Sequence, residues 1–266
     1  MLKNKMVKYI LHELDCAIMR KSARIYCLGI FVLCIIGNMA VMAFRTVYGT
    51  NEGTYAYNIM EYAAWSFILP YLTCILIVQM VFGNDYPNPH IKDGLTATLN
   101  RTQIYLSKLI AAIALAFIFL VISLVALVSL TALFQIKDKT LSADAIKTFC
   151  DKMFLALPLF LAGVSIATMF MFGYRRKKKA YLWYYVITLV VPQVILLLAK
   201  DPPGLALFKA VRPFTIAQSF RLIPYPSSPE RSVPLIIGLG FAYTIVSTVV
   251  GIIVYNKKKF LDVDNE

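Results

Sequence analysis

The chain has 266 residues, 59% of them hydrophobic, and a mean hydropathy of +0.70. A soluble domain is nearer half apolar, so the excess belongs to a membrane protein, and the length fits one helical domain over 1–266 with no second soluble domain. The net charge is +13, but no basic stretch alternates with aromatics on a polar fold, so the charge is assigned to residues flanking membrane spans near anionic lipid and not to nucleic acid.

The five cysteines, Cys16, Cys27, Cys34, Cys74 and Cys150, form no CxxC pair and no Cys/His cluster. Neither a disulfide framework nor a metal site is expected. The first residues do not read as a secretory signal, because an amphipathic stretch stands where the apolar core of a signal should be. Over 1–21, Val7, Ile10, Leu11, Leu14, Ala17 and Ile18 share one helical face, and Lys5, Lys8, His12 and Asp15 share the other. That pattern predicts a helix lying on the membrane surface, lysines toward lipid phosphates.

Six spans follow, at about 25–44, 59–81, 106–134, 153–172, 181–199 and 235–255. Each approaches or exceeds the roughly 20 residues needed for a hydrocarbon core about 30 Å thick. Asn38 is the strongly polar group inside the first. The second begins with Glu61, Tyr62 and Trp65 as an interfacial belt, carries Pro70 mid-span, where a bend is allowed, and has Gln79 near its exit. The third is too long for a perpendicular crossing and so tilts or projects. The fourth holds Pro158 and the close-packing pair Gly163 and Ala167. A basic run, Tyr174 to Lys179, leads into the fifth, which contains Tyr185 and Gln193. Between 200 and 234 lie seven of the twelve prolines among many apolar residues. Two short helices within 204–224, bent at Pro213 and dipping into or lying on the membrane, fit that mixture.

The second and third spans are joined by a polar, proline-broken stretch, with the loop at 83–103. Pro87 and Pro89 force a turn. Ile91, Leu95 and Leu99 then recur at helical spacing. A short amphipathic helix between two spans suits a part gripped by something outside the membrane. Six spans place both termini, this loop and the Tyr174–Lys179 run on one side. That side holds 17 of the 27 Lys and Arg, with Asp and Glu shared equally, so it is predicted to face the cytoplasm. The chain has no GxxxxGK[ST], HExxH or GxSxG motif and no carboxylate pair within a span. It forms a passage or a scaffold without an energy source of its own. No internal repeat argues for an inverted-repeat carrier.

The loop resembles the corresponding loop in the membrane subunits of ABC exporters of the ABC-2 type. There an acidic residue precedes a Gly-Thr-Ile-Lys-like turn, a small apolar helix, an arginine and an Ile-Tyr-Leu-x-Lys lead-in to the third span. Here Asp85 stands at the acidic position, Ile91 and Lys92 end the turn, Leu95 and Leu99 lie in the helix, Arg101 is the arginine, and Ile104, Tyr105, Leu106 and Lys108 form the lead-in. Pro89 and His90 depart from the commoner Gly-Thr. The resemblance implies an all-α membrane protein with six transmembrane helices, an N-terminal amphipathic surface helix, a cytoplasmic coupling helix and short re-entrant helices before the last span. It implies a multi-pass permease of the bacterial cytoplasmic membrane, paired with an identical or related permease subunit and with two copies of an ABC ATPase that bind ATP and Mg. No cofactor is expected in this chain. Asp85, Ile91, Lys92, Leu95, Leu99 and Arg101 would couple to the ATPase. Asn38, Tyr62, Trp65, Gln79, Tyr185 and Gln193 would face a path for an amphipathic or hydrophobic cargo, such as an antimicrobial peptide, a lipid or a drug. Two other readings stay open: an ion-coupled carrier or channel, and a non-transporting scaffold or sensor.

Overall fold

The computed structural model describes residues 2–48, 55–83, 99–134, 142–174, 176–199, 206–225 and 232–257. Among these the chain is all helical. The elements are α1 (Leu2–Met19), α2 (Lys21–Tyr48), α3 (Tyr55–Trp65), α4 (Ile68–Phe82), α5 (Arg101–Phe134), α6 (Ala143–Gly173), α7 (Lys177–Tyr185), α8 (Val191–Leu198), α9 (Ala206–Val211), α10 (Ile216–Leu222) and α11 (Val233–Lys257). Among the described residues five stretches are long and apolar enough to cross a membrane: Lys21–Ala43, Arg101–Phe134, Ala143–Gly173, Lys177–Leu198 and Val233–Lys257. The chain is thus a multi-pass membrane protein by its helices.

The second expected span is not one helix. It divides into α3 and α4 at Ser66 and Phe67. Pro70 is the cause, acting one turn ahead of itself. Its ring would clash with the carbonyl of residue 66, four positions back, and it has no N–H to bond there. Ser66 turns instead: its Oγ donates to the Ala63 carbonyl at 2.7 Å, and its own carbonyl accepts from the Leu69 N–H at 2.8 Å. Pro70 then falls in the first turn of α4, where a missing N–H costs nothing. Pro192 is handled differently. The turn before it, Val186–Val190, widens into a π-helix, and the Thr188 hydroxyl donates to the Tyr184 carbonyl at 2.7 Å.

Other boundaries also shift. The residues expected to link the third and fourth spans supply the start of α6, where Ser142 Oγ accepts from the Ala145 N–H. The basic run enters α7 from Lys177. Between the fifth and last spans stand α9 and α10, separated by a tight 3-10 turn, Arg212–Phe214, that contains Pro213.

Packing centres on α4 and α6. Helix α4 is apolar all round and buried on most sides, as a central helix must be; Tyr71, Ile75, Val78 and Val81 are nearly inaccessible. Gly163 on α6 lies so close to α4 that a Cβ would come within 2.7 Å of the Tyr71 ring. On α11 the buried residues Ile236, Gly240, Ser247 and Gly251 fall on one stripe. At Gly240 a Cβ would come within 2.5 Å of the Pro158 backbone, so the α6–α11 contact requires that missing side chain. Helix α10 is tucked into the bundle: Phe220 packs on Tyr71 and Phe160, ring centroids 5.2 and 5.4 Å apart. By contrast, only 6% of the apolar window of α2 is buried.

Candidate functional site

One end of the bundle gathers the C-terminal ends of α4, α6 and α11 and the N-terminal end of α5. Phe172 is its hub, with ring centroids 4.7 Å from Phe82, 4.7 Å from Tyr105 and 4.5 Å from Tyr255. Asn256 Nδ2 donates to Thr102 Oγ1 at 3.2 Å across the same end. These contacts fix the two residues from which the central loop departs and returns.

Helix α1 lies over this end as a strap. Its Tyr9 and Ala17 are buried, and Ile10 and Leu14 pack on the core. Val7, Leu11 and Ile18 form the adjoining stripe and remain exposed. The expected apolar face is therefore shared: half meets the protein and half is available to lipid. Two polar contacts pin the strap. Glu13 pairs with Lys108 Nζ at 3.4 Å, and the same ammonium stands 4.9 Å above the Phe82 ring. The Arg20 guanidinium donates to the Met80 carbonyl at the end of α4. Gly83 leaves space for that guanidinium, which a Cβ would strike. The backbone of Gly83 is ordinary right-handed helix, so the glycine serves clearance and not conformation. Glu13 and Arg20 escaped sequence reasoning, although Tyr9, Glu13, Ala17 and Arg20 follow helical spacing. That spacing does not say which helix ends the two charged side chains meet.

Of the residues expected to couple to an ATPase, Asp85, Ile91, Lys92 and Leu95 lie outside the described residues. Leu99 is buried, and Arg101 is exposed as the first residue of α5. The turn into α5 is well made: the Asn100 N–H donates to Gln103 Oε1 at 3.0 Å, one half of a capping box. Arg101 thus holds a positive charge at a helix N-terminus, where the peptide dipoles disfavour it.

The six residues expected along a path do not come together. Asn38 and Tyr62 line one cavity of about 370 Å³ between α2, α3, α4, α5 and α6. Trp65 instead meets Tyr225 edge to face at 4.7 Å. Gln79 is half-buried on α4 away from the cavity, Tyr185 packs beside Tyr184, and Gln193 is exposed on α8. Asn38 is wholly buried; its Nδ2 donates to the Cys34 carbonyl at 2.9 Å.

Among the described residues no group of three or more His, Cys, Asp or Glu could hold a metal ion. The sequence matches no protein-family model and no curated protein.

Proposed function

We propose that this chain is the membrane permease subunit of an ATP-driven exporter of the ABC-2 type, moving an amphipathic or hydrophobic cargo outward with energy from a separate ATPase. The observation that carries the reading is the braced end of the bundle. The loop between α4 and α5 leaves and re-enters through Phe82 and Tyr105, both packed on Phe172, and α1 ties both flanks through Arg20 and through Glu13 with Lys108. A push on such a loop moves α4, α5, α6 and α11 together and does not merely bend the loop. The absence of a P-loop in the sequence leaves the push to a partner.

Arg101 supports the same reading. It is exposed as the first residue of α5, beside the central loop, where an acidic surface of a partner can meet it. The stripe of Val7, Leu11 and Ile18 fits a helix half-sunk in the interface of the cytoplasmic leaflet. Helix α10, short and nearly enclosed by protein, fits a segment re-entering the membrane, where backbone must be covered. A homodimer or a related heterodimer, bound to two ATPase subunits, completes the transporter. The path then runs between subunits, with the weakly packed α2 beside it.

Purification of the full chain from its native membrane, with the co-purifying proteins identified by mass spectrometry, tests the proposal. A stoichiometric complex whose ATP hydrolysis responds to cargo is expected. Arg101→Glu should cut recovery of the ATPase at least tenfold, with the permease still inserted. Full transport by that variant, or uphill transport by this chain without nucleotide, would sink the reading.

A further inference from the structure

Helix α1 gives way to α2 at Arg20, and this elbow carries three cations, Arg20, Lys21 and Arg24. They are placed differently. Arg20 is turned inward and donates to the Met80 carbonyl. Lys21 and Arg24 are exposed, and among the described residues neither side chain has an ion-pair or hydrogen-bond partner.

Below those two cations the surface is apolar. Ile25 follows Lys21 by four residues and Leu28 by seven; Leu28 follows Arg24 by four and Phe31 by seven. Residues so spaced share a helix face. Ile25, Leu28 and Phe31 are all exposed, whereas Ala23, on the other side of the first turn, is buried. On a helix long and apolar enough to cross a membrane, that exposed face meets acyl chains. Helical side chains lean toward the N-terminus, so Lys21 and Arg24 reach past the end of the stripe, to the depth of lipid headgroups. Their Cβ atoms, three positions apart, stand about 5–6 Å from each other, a gap that one phosphate group can bridge.

The α1 side of the elbow extends both halves of this surface. Ile18 and Met19 are exposed and apolar, and Lys5 and Lys8 are exposed and cationic. Of the carboxylates on α1, Asp15 is exposed and Glu13 is taken by Lys108. An apolar stripe capped by paired cations complements a phospholipid with a net negative headgroup. A zwitterionic headgroup would bring its own ammonium against Lys21 and Arg24.

We infer that the α1–α2 elbow binds one anionic glycerophospholipid, with its phosphate between Lys21 and Arg24 and an acyl chain along Ile25, Leu28 and Phe31. The inference rests on the membrane-spanning character of α2 and not on the permease reading.

The full chain, purified in dodecyl maltoside, is titrated with dioleoylphosphatidylglycerol and in parallel with dioleoylphosphatidylcholine, and bound lipids are counted by native mass spectrometry. Saturable phosphatidylglycerol binding, tighter than that of phosphatidylcholine, is expected. Lys21→Gln with Arg24→Gln should raise the half-saturating phosphatidylglycerol concentration about thirtyfold, the ratio for two cations at about 1 kcal/mol each, and leave phosphatidylcholine nearly unchanged. Lys21→Arg with Arg24→Lys keeps the charge and should keep the affinity. Arg176→Gln with Lys257→Gln removes as much charge from exposed side chains at the same end of the bundle and should bind as the parent does. Without lipid the Lys21/Arg24 glutamine variant should melt with the parent, because it strands no partner. Equal affinity of the parent for the two lipids would overturn the inference, as would unchanged phosphatidylglycerol binding in the glutamine variant. An equal loss in the Arg176/Lys257 variant would reduce the site to diffuse charge. Displacement by excess glycerol 3-phosphate would make it a site for a free anion, and an earlier melt of the glutamine variant would make Lys21 and Arg24 structural; each of these results also overturns it.

Discussion

At the scale of single residues, the most consequential contacts are polar ones in an apolar setting. Glu13 and Lys108 are both largely buried, and removing one member of such a pair strands the other. Glu13→Ala should therefore lower stability by about 3 kcal/mol, read as a thermal midpoint several degrees lower in detergent. Lys108→Met alongside Glu13→Ala should recover most of that loss, since an apolar pair leaves no stranded charge. The Tyr184 hydroxyl, donating to the Tyr71 carbonyl at 2.5 Å, plays a related part between α7 and α4. None of these partners is adjacent in sequence. Glu13 and Lys108 are single charges within the helices α1 and α5, and nothing in their spacing says that they meet.

Among elements, prolines and glycines decide how the helices join and touch. Pro70→Ala restores an N–H and removes the clash at Ser66, so α3 and α4 should align into one helix. Spin labels at 62 and 79 would then stand roughly 26 Å apart, at about 1.5 Å per residue; a separation unchanged from the parent would show that packing and not Pro70 sets the break. Gly240 tests the opposite end of the scale. The atoms that a side chain there would strike are the Pro158 backbone and its ring Cβ, which cannot swing aside. Gly240→Leu should destabilise the α6–α11 pair by about 3 kcal/mol, the upper part of the usual overpacking cost, visible as increased proteolysis of the C-terminal helix. The position of Pro70 made a bend in the second span legible beforehand, whereas the π-turn before Pro192 was not read from the sequence. Their location one turn upstream, and the choice of a break at Ser66 against a π-turn before Pro192, depended on what surrounds each helix.

For the molecule as a whole, the ends of α4, α5, α6 and α11 that meet at Phe172 share a side with α1. With Lys and Arg concentrated on the same segments, that side is proposed to be cytoplasmic. In intact cells carrying a variant with its five cysteines changed to Ala, a membrane-impermeant maleimide should label Ser142→Cys and spare Asn100→Cys; both positions are exposed in the structure. The reverse pattern would invert the orientation and remove the central loop from reach of any cytoplasmic ATPase.

The helical membrane character was determined by the sequence alone, because long apolar runs bounded by charge have one physical solution in lipid: backbone groups bonded within each segment. The helix over the first 19 residues and the turn at Pro213 are local in the same sense, whereas the expected second span breaks into α3 and α4 and, among the described residues, five stretches and not six are long enough to cross. Tertiary structure decided what depends on contacts far apart in the chain. It set α1 across the ends of α4 and α5, drew α10 against Tyr71 and Phe160, and separated Trp65, Gln79, Tyr185 and Gln193 from the cavity that Asn38 and Tyr62 share. Periodicity tells which face of a helix is apolar; it carries no information about whether that face meets lipid, a neighbouring helix or a cavity, and only the assembled bundle distinguishes them.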